Sequence, residues 1–129
     1  MNIINIYYMK HYFRKLEIWK DGIELSKIIY ELTRNFPKEE IYGLTSQMRR
    51  AAISIPSNIA EGAGRDTDKD FAHFLTIAKG SSFELDSQLI LAKELGYITE
   101  EQLIPILDKL VILQNKIFRF REKLIREEV

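Results

Sequence analysis

Over nearly its whole length the chain repeats apolar residues at steps of three and four, in four blocks separated by short connectors that carry proline or glycine. A period near 3.6 is the signature of helices that bury one face, and no stretch alternates with the period of two that a half-buried strand needs. From Leu16 to Leu32 two adjoining lines run side by side, Leu16, Trp19, Ile23 and Tyr30 next to Ile18, Leu25, Ile29 and Leu32. This predicts a first helix with Trp19 in the core. Asn35-Phe36-Pro37 ends it, since proline lacks an amide hydrogen and drives the preceding residue out of helical geometry.

Met48, Ala51, Ala52, Ile55, Ile59 and Ala63 predict a second helix from Gly43-Leu44-Thr45 to Gly64. Pro56 lies inside it, so a break there is the rival reading. The apolar phase continues across the proline and favours one kinked helix, with Ser54, Ser57 and Asn58 expected to satisfy the freed backbone groups. Asp66 or Thr67 can cap a third helix from about Asp68 to Leu95, whose seam is Phe71, Phe74, Leu75, Ala78, Ser82, Leu85, Leu89 and Ala92. Gly80-Ser81-Ser82 within it is expected to let a neighbouring backbone approach closely. Thr99-Glu100-Glu101-Gln102 has capping-box spacing and opens a last helix running towards Arg126. Long helices on short connectors give an all-α, antiparallel, up-down-up-down four-helix bundle over residues 13–129.

Residues 1–12 are expected to form a poorly ordered arm. Met1 to Tyr8 is apolar but has no preceding basic residue, no cleavage site after it and far fewer than ~20 apolar residues, so neither a signal peptide nor a membrane span is expected. Met9 is an alternative start of the folded unit. With no cysteine among 129 residues, disulfides, thiolate metal sites and thiol nucleophiles are excluded, and a reducing cytoplasm is the simplest home.

The last helix carries three sectors. Leu103, Ile106, Leu110, Leu113, Ile117, Phe120 and Leu124 form the heptad seam for its own bundle. Beside it runs a second apolar line, Ile104, Leu107, Val111, Phe118 and Ile125. This line either packs on a second helix of the same bundle or forms a self-association surface. The third sector holds Lys109, Lys116, Arg119, Lys123 and Arg126, either a solvated face with acids such as Asp108 nearby or, repeated around an oligomer, a surface for phosphates. The 19 basic and 19 acidic side chains cancel, so any nucleic-acid role must rest on such a local patch.

Enzyme chemistry finds little footing. His11 and His73 are the only histidines and stand far apart, with no His-x-x-x-His or Glu-x-x-His spacing, so no metal or other cofactor is expected. No phosphate-binding glycine loop or nucleophile elbow occurs. An enzyme built on Glu61 or Glu84 would need a pocket with raised carboxylate pKa values.

The densest motif runs from Leu44-Thr45-Ser46-Gln47-Met48-Arg49-Arg50 through Ala51-Ala52-Ile53-Ser54-Ile55-Pro56-Ser57-Asn58-Ile59-Ala60-Glu61-Gly62. With Trp19, Phe36-Pro37, Tyr42-Gly43, Phe74-Leu75, Ile77-Ala78, Gly80-Ser81, Glu84-Leu85 and Leu95-Gly96-Tyr97, it resembles the four-helix-bundle proteins encoded in intervening sequences of bacterial 23S ribosomal RNA genes, the S23 ribosomal protein family. The likeness covers roughly residues 13 to 125. It implies a bundle, commonly a ring-shaped homopentamer, without known catalytic activity. More distantly the chain is similar to the accessory variability protein of diversity-generating retroelements, a basic pentamer associated with nucleic acid; this chain departs from it in being neutral. Physically the motif is mostly architecture: Ala51, Ala52, Ser54, Ser57, Ala60 and Gly62 are small enough for close helix contact, and Glu61 and Arg65 are spaced to pair. Arg49 and Arg50 are its candidates for a phosphate or a partner carboxylate. The sequence therefore leaves three readings: an assembly that associates with RNA or DNA without sequence specificity, an oligomeric protein-binding scaffold, and an unrecognised enzyme.

Overall fold

The structure, a computed structural model, describes residues 11–128, with side chains described as far as Arg126. Four α-helices carry the described residues: α1 Glu17–Thr33, α2 Leu44–Ala63, α3 Asp68–Glu94 and α4 Glu100–Glu128; two single 3-10 turns, Phe13–Lys15 and Lys38–Glu40, precede α1 and α2. The fold is all-α, with no strand among the described residues. Each helix packs on its neighbours in sequence, α1 also packs on α4, and among the described residues neither diagonal pair brings its backbones as close. The expected arm falls mostly outside the described residues. Its last members, His11 and Tyr12, are described, and His11 packs its ring on Phe71 and places Nε2 3.0 Å from Asp68 Oδ1.

The helix ends follow from local chemistry. Thr67 caps α3 by accepting the Asp70 amide at 3.1 Å. Thr99 and Gln102 cap each other's amides at the start of α4, at 2.9 and 3.2 Å. Gly96, at φ +80°, closes α3 in the left-handed conformation that glycine adopts without steric cost, and the Tyr97 amide reaches back to the Ala92 carbonyl. At the same end, Glu40 accepts the Leu44 amide at 3.1 Å and the Tyr97 hydroxyl at 2.7 Å, joining the α1–α2 and α3–α4 connectors. Those bonds hold the Glu40 carboxyl below its usual range, the Tyr97 bond first, and raise the Tyr97 phenol.

α2 runs through Pro56 unbroken. A proline removes the hydrogen bond to the carbonyl four residues back, here Ala52. The structure supplies the donor from another helix: the Ser26 hydroxyl of α1 lies 3.2 Å from Ala52 O while also reaching Gly22 O at 2.9 Å. Of the residues expected to help from within α2, Asn58 bonds Ser54 O at 2.8 Å, and Ser57 stays exposed.

Two sequence expectations about packing need correction. Trp19 is half-buried at the rim and stacks edge-on with Phe13, and Ile23 is exposed; the buried stripe of α1 is Ile18, Gly22, Leu25, Ser26, Ile29 and Thr33. Small and hydroxylic residues in that stripe draw α1 close to α2 and leave the bulkier Trp19, Ile23 and Tyr30 outside. Nor does Gly80 admit a neighbour, since a Cβ there would meet nothing within 4 Å. The close approaches are at Gly22, where a Cβ would sit 3.2 Å from Pro56, and at Gly62, where it would sit 2.6 Å from Phe74 and 2.8 Å from Phe71.

Candidate interaction surfaces

α4 buries Leu103, Ile106, Leu110, Leu113, Ile117 and Leu124, and half-buries Phe120, as its heptad seam requires. Its two flanks then differ. On the α1 side, Lys116 Nζ bonds Glu17 Oε1 at 2.6 Å and Asp21 Oδ2 at 3.0 Å, and Lys109 Nζ bonds Glu24 Oε1 at 3.3 Å. Glu17, Asp21 and Glu24 recur at steps of four and three along α1, which presents them to lysines one heptad apart on α4. The hydrogen bond from Lys116, and then its charge, hold the Glu17 carboxyl below the usual carboxylate range. The bonds to Glu17 and Asp21 raise the Lys116 ammonium. The first members of the expected basic stripe, Lys109 and Lys116, are thus engaged inside the monomer. Arg119, Lys123 and Arg126 stand exposed further along.

Arg49 and Arg50 do not join that stripe. They line the α1–α2 groove with Tyr30, Ile41 and Ile53, while the α4 lysines line the α1–α4 groove, with α1 between. Arg49 is itself braced: its Nε donates to Thr33 Oγ1 at 2.8 Å and its guanidinium lies 4.6 Å from the Tyr30 ring centroid. Arg50 is exposed.

On the α3 side of α4 the second apolar line faces outward. Ile104, Val111 and Phe118 are 45–50 % exposed and Ile125 is 38 % exposed, whereas Leu107 is half-buried against the core. α3 extends the surface with Phe83 and Ile90, both about half exposed. Lys79 Nζ sits 4.8 Å from the Phe118 ring centroid and 6.0 Å from that of Phe83, so the two rings border one strip. Sequence reasoning missed Phe83 and Ile90, although their heptad spacing off the α3 seam is a readable signal. A smaller polar contact lies on the α2–α3 edge, where the Ser54 and Ser81 hydroxyls meet at 2.7 Å and Asn58 bonds Ser54.

Glu61 and Arg65 pair at 3.1 Å, and Arg65 lies over Phe74. His73 is exposed beside Phe74. Among the described residues no group of three metal-ligating side chains gathers, and no helix is long and apolar enough to cross a membrane.

The family model described as 23S rRNA-intervening sequence protein matches residues 14–119. Among solved structures, the chain is similar to the crystal structure of a protein of unknown function from the S23 ribosomal protein family of Bacteroides thetaiotaomicron. The two share 23% identity over 81% of this chain and 97% of that one, with a TM-score of 0.73. At that identity the likeness establishes the fold. No curated protein matches the chain.

Proposed function

The chain belongs to the 23S rRNA-intervening sequence protein family, and on that premise we propose that it is a cytoplasmic, non-catalytic bundle that acts as a self-assembled, multi-copy scaffold. The observation that carries the reading is the α3–α4 strip, where Phe83, Ile90, Ile104, Val111 and Phe118 form one apolar surface that the monomer leaves open. Contiguous apolar surface of this kind on a small domain marks an interaction site. The antiparallel arrangement behind it is supported by contacts that run in opposite sequence order. Gly22 meets Pro56 and Thr33 meets Arg49; Ser82 meets Gln114 and Thr76 meets Arg121.

A scaffold rather than an enzyme fits the titration pattern. The displaced carboxyls, Glu17 and Glu40, are displaced downward by hydrogen-bond donors, opposite to what a general acid requires. The family resemblance sets five as the expected number of copies. Light scattering on the purified chain tests the reading: a multiple of 15.2 kDa is expected. A strict monomer at roughly tens of micromolar, where a micromolar interface would be filled, overturns it.

A second reading adds non-specific binding of RNA or DNA by the assembly. It is favoured by the exposed Arg119, Lys123 and Arg126, which repetition around an oligomer would sum into one positive surface.

A further inference from the structure

Lys109 and Lys116 meet carboxylates of their own chain, whereas Arg49 and Arg50 form no ion pair among the described residues. Both guanidinium groups line the α1–α2 groove, a concavity of about 540 Å³ walled by Tyr30, Ile41 and Ile53. No acidic side chain lines it among the described residues. Arg49 is set in place before any ligand arrives, because Thr33 Oγ1 accepts its Nε and the Tyr30 ring lies against its guanidinium. Thr45 lines the same groove although it is only 5 % exposed, and its hydroxyl has no hydrogen-bond partner among the described residues. A hydroxyl so enclosed is ordinarily paired, which points to a partner from outside the chain. The start of α2 is not itself the anion site, since Glu40 already accepts the Leu44 amide there.

Past Ile53 the groove continues as an apolar trough, where Trp19, Ile23, Pro56 and Ala60 form the walls and again no acid lines it. From Arg49 to Ala60 the helix rises ~16 Å, which an extended chain crosses in about five residues. Single-stranded nucleic acid draws its affinity from several cations in a row and from open aromatic rings. Here there are two cations, and one face of Tyr30 is already taken by Arg49. A carboxylate, by contrast, fits a guanidinium fork through two parallel hydrogen bonds. Apolar side chains beyond it would cover Ile23 and Ile53, each 40 % exposed.

We propose that this trough binds an extended segment of another protein, with an Asp or Glu side chain held by Arg49 and Arg50 and an apolar side chain about five residues away seated against Trp19, Ile23 and Pro56. The site lies within one chain, so the inference goes beyond the assembly reading and does not require it.

Selection of a random-peptide phage library on the full-length chain is expected to enrich sequences with an acidic residue about five positions from an aromatic or branched apolar one. An enriched peptide, synthesised with a fluorescein label and titrated by anisotropy, should bind Arg50→Glu about tenfold or more weakly, the scale of a charge-assisted hydrogen bond. Ile53→Asp serves as the second variant, and since both positions are exposed each should keep its helical circular dichroism. Lys116→Met, on the other side of α1, should leave the affinity unchanged. Replacing the peptide's acid by lysine should make it prefer Arg50→Glu over the wild type, a reversal that a merely structural role of Arg50 would not produce. Enrichment of no sequence, enrichment of sequences without an acid, or equal binding by Arg50→Glu overturns the proposal. So does displacement of the peptide by a single-stranded oligonucleotide that itself binds through Arg50, which would assign the groove to nucleic acid. Light scattering reads assembly separately: a monomeric wild-type chain that binds the peptide removes the assembly reading and leaves this one standing.

Discussion

The two flanks of α4 begin from the same helix and end in opposite states. Towards α1, Lys109 and Lys116 meet Glu17, Asp21 and Glu24 within one chain, and Ile112 is the one large apolar side chain of that groove left exposed. Towards α3, Val111, Phe118, Phe83 and Ile90 each remain about half exposed, with only the Lys79 ammonium set over the Phe118 ring. Paired charges at a solvated surface lose little by staying in water, whereas exposed apolar rings gain by leaving it. Of the two flanks, the α3 side, with more exposed apolar side chains, has the larger driving force to acquire a partner.

The sharpest break of that comparison uses adjacent residues. Ile117 is fully buried and Phe118 is about half exposed. Ile117→Ala should destabilise the fold by about 2–5 kcal/mol through lost transfer energy and a cavity. Phe118→Ala should change the unfolding of a dilute monomer by no more than about 1 kcal/mol, the scale of its contact with Lys79, while weakening assembly. Urea unfolding of dilute protein, with light scattering in parallel, reads both. Equal stability losses would mean that Phe118 belongs to the core.

Nucleic-acid binding sharpens the other flank. If the assembly binds RNA or DNA through phosphates, Arg119→Glu with Arg126→Glu should weaken binding to all sequences alike. The slope of log affinity against log salt should fall by roughly 0.7–0.9 for every phosphate that the variant no longer neutralises. Lys109→Gln with Lys116→Gln should do much less, since those ammonium groups already hold carboxylates. A titration of labelled single- and double-stranded oligonucleotides at several salt concentrations separates the two pairs. No binding by the wild-type assembly even at low salt would retire the phosphate reading.

The four helices, their caps and the buried seams of α3 and α4 were legible in the sequence, because helical period and capping chemistry are local. What was not legible depends on which helix faces which. Trp19 and Ile18 both belong to apolar lines of α1, and only the close seating of Gly22 on Pro56 decides that Ile18 goes in and Trp19 stays at the rim. Ser26 as the donor to the carbonyl freed by Pro56 lies 26 residues from it in sequence and left no local trace. On α4 the cations of the stripe were visible, but the pairing of Lys109 and Lys116 required knowing that α1 lies alongside.

The smallest expected effect tests whether the α1 flank is held by charge at all. The Glu17 carboxyl lies below its ordinary 4.5 in the folded chain, and the Lys116 ammonium lies above its ordinary 10.5. A depressed carboxyl stabilises the fold above its unfolded value, and that contribution disappears as pH falls through the folded value. A raised ammonium stabilises the fold below its unfolded value, and its contribution disappears as pH rises through the folded value. The difference in melting temperature between wild type and Lys116→Met should therefore be flat from about pH 6 to about pH 9 and shrink towards both extremes. Both groups are partly or largely exposed, so even the plateau should be well below the loss from Ile117→Ala. Phe118→Ala, measured as a dilute monomer, should show no such profile, because Phe118 carries no titrating group. A Lys116→Met difference that persists undiminished as the pH falls through the folded Glu17 value would show that the lysine contributes through its packed aliphatic stem, and the contrast between the flanks would then be one of packing rather than of charge.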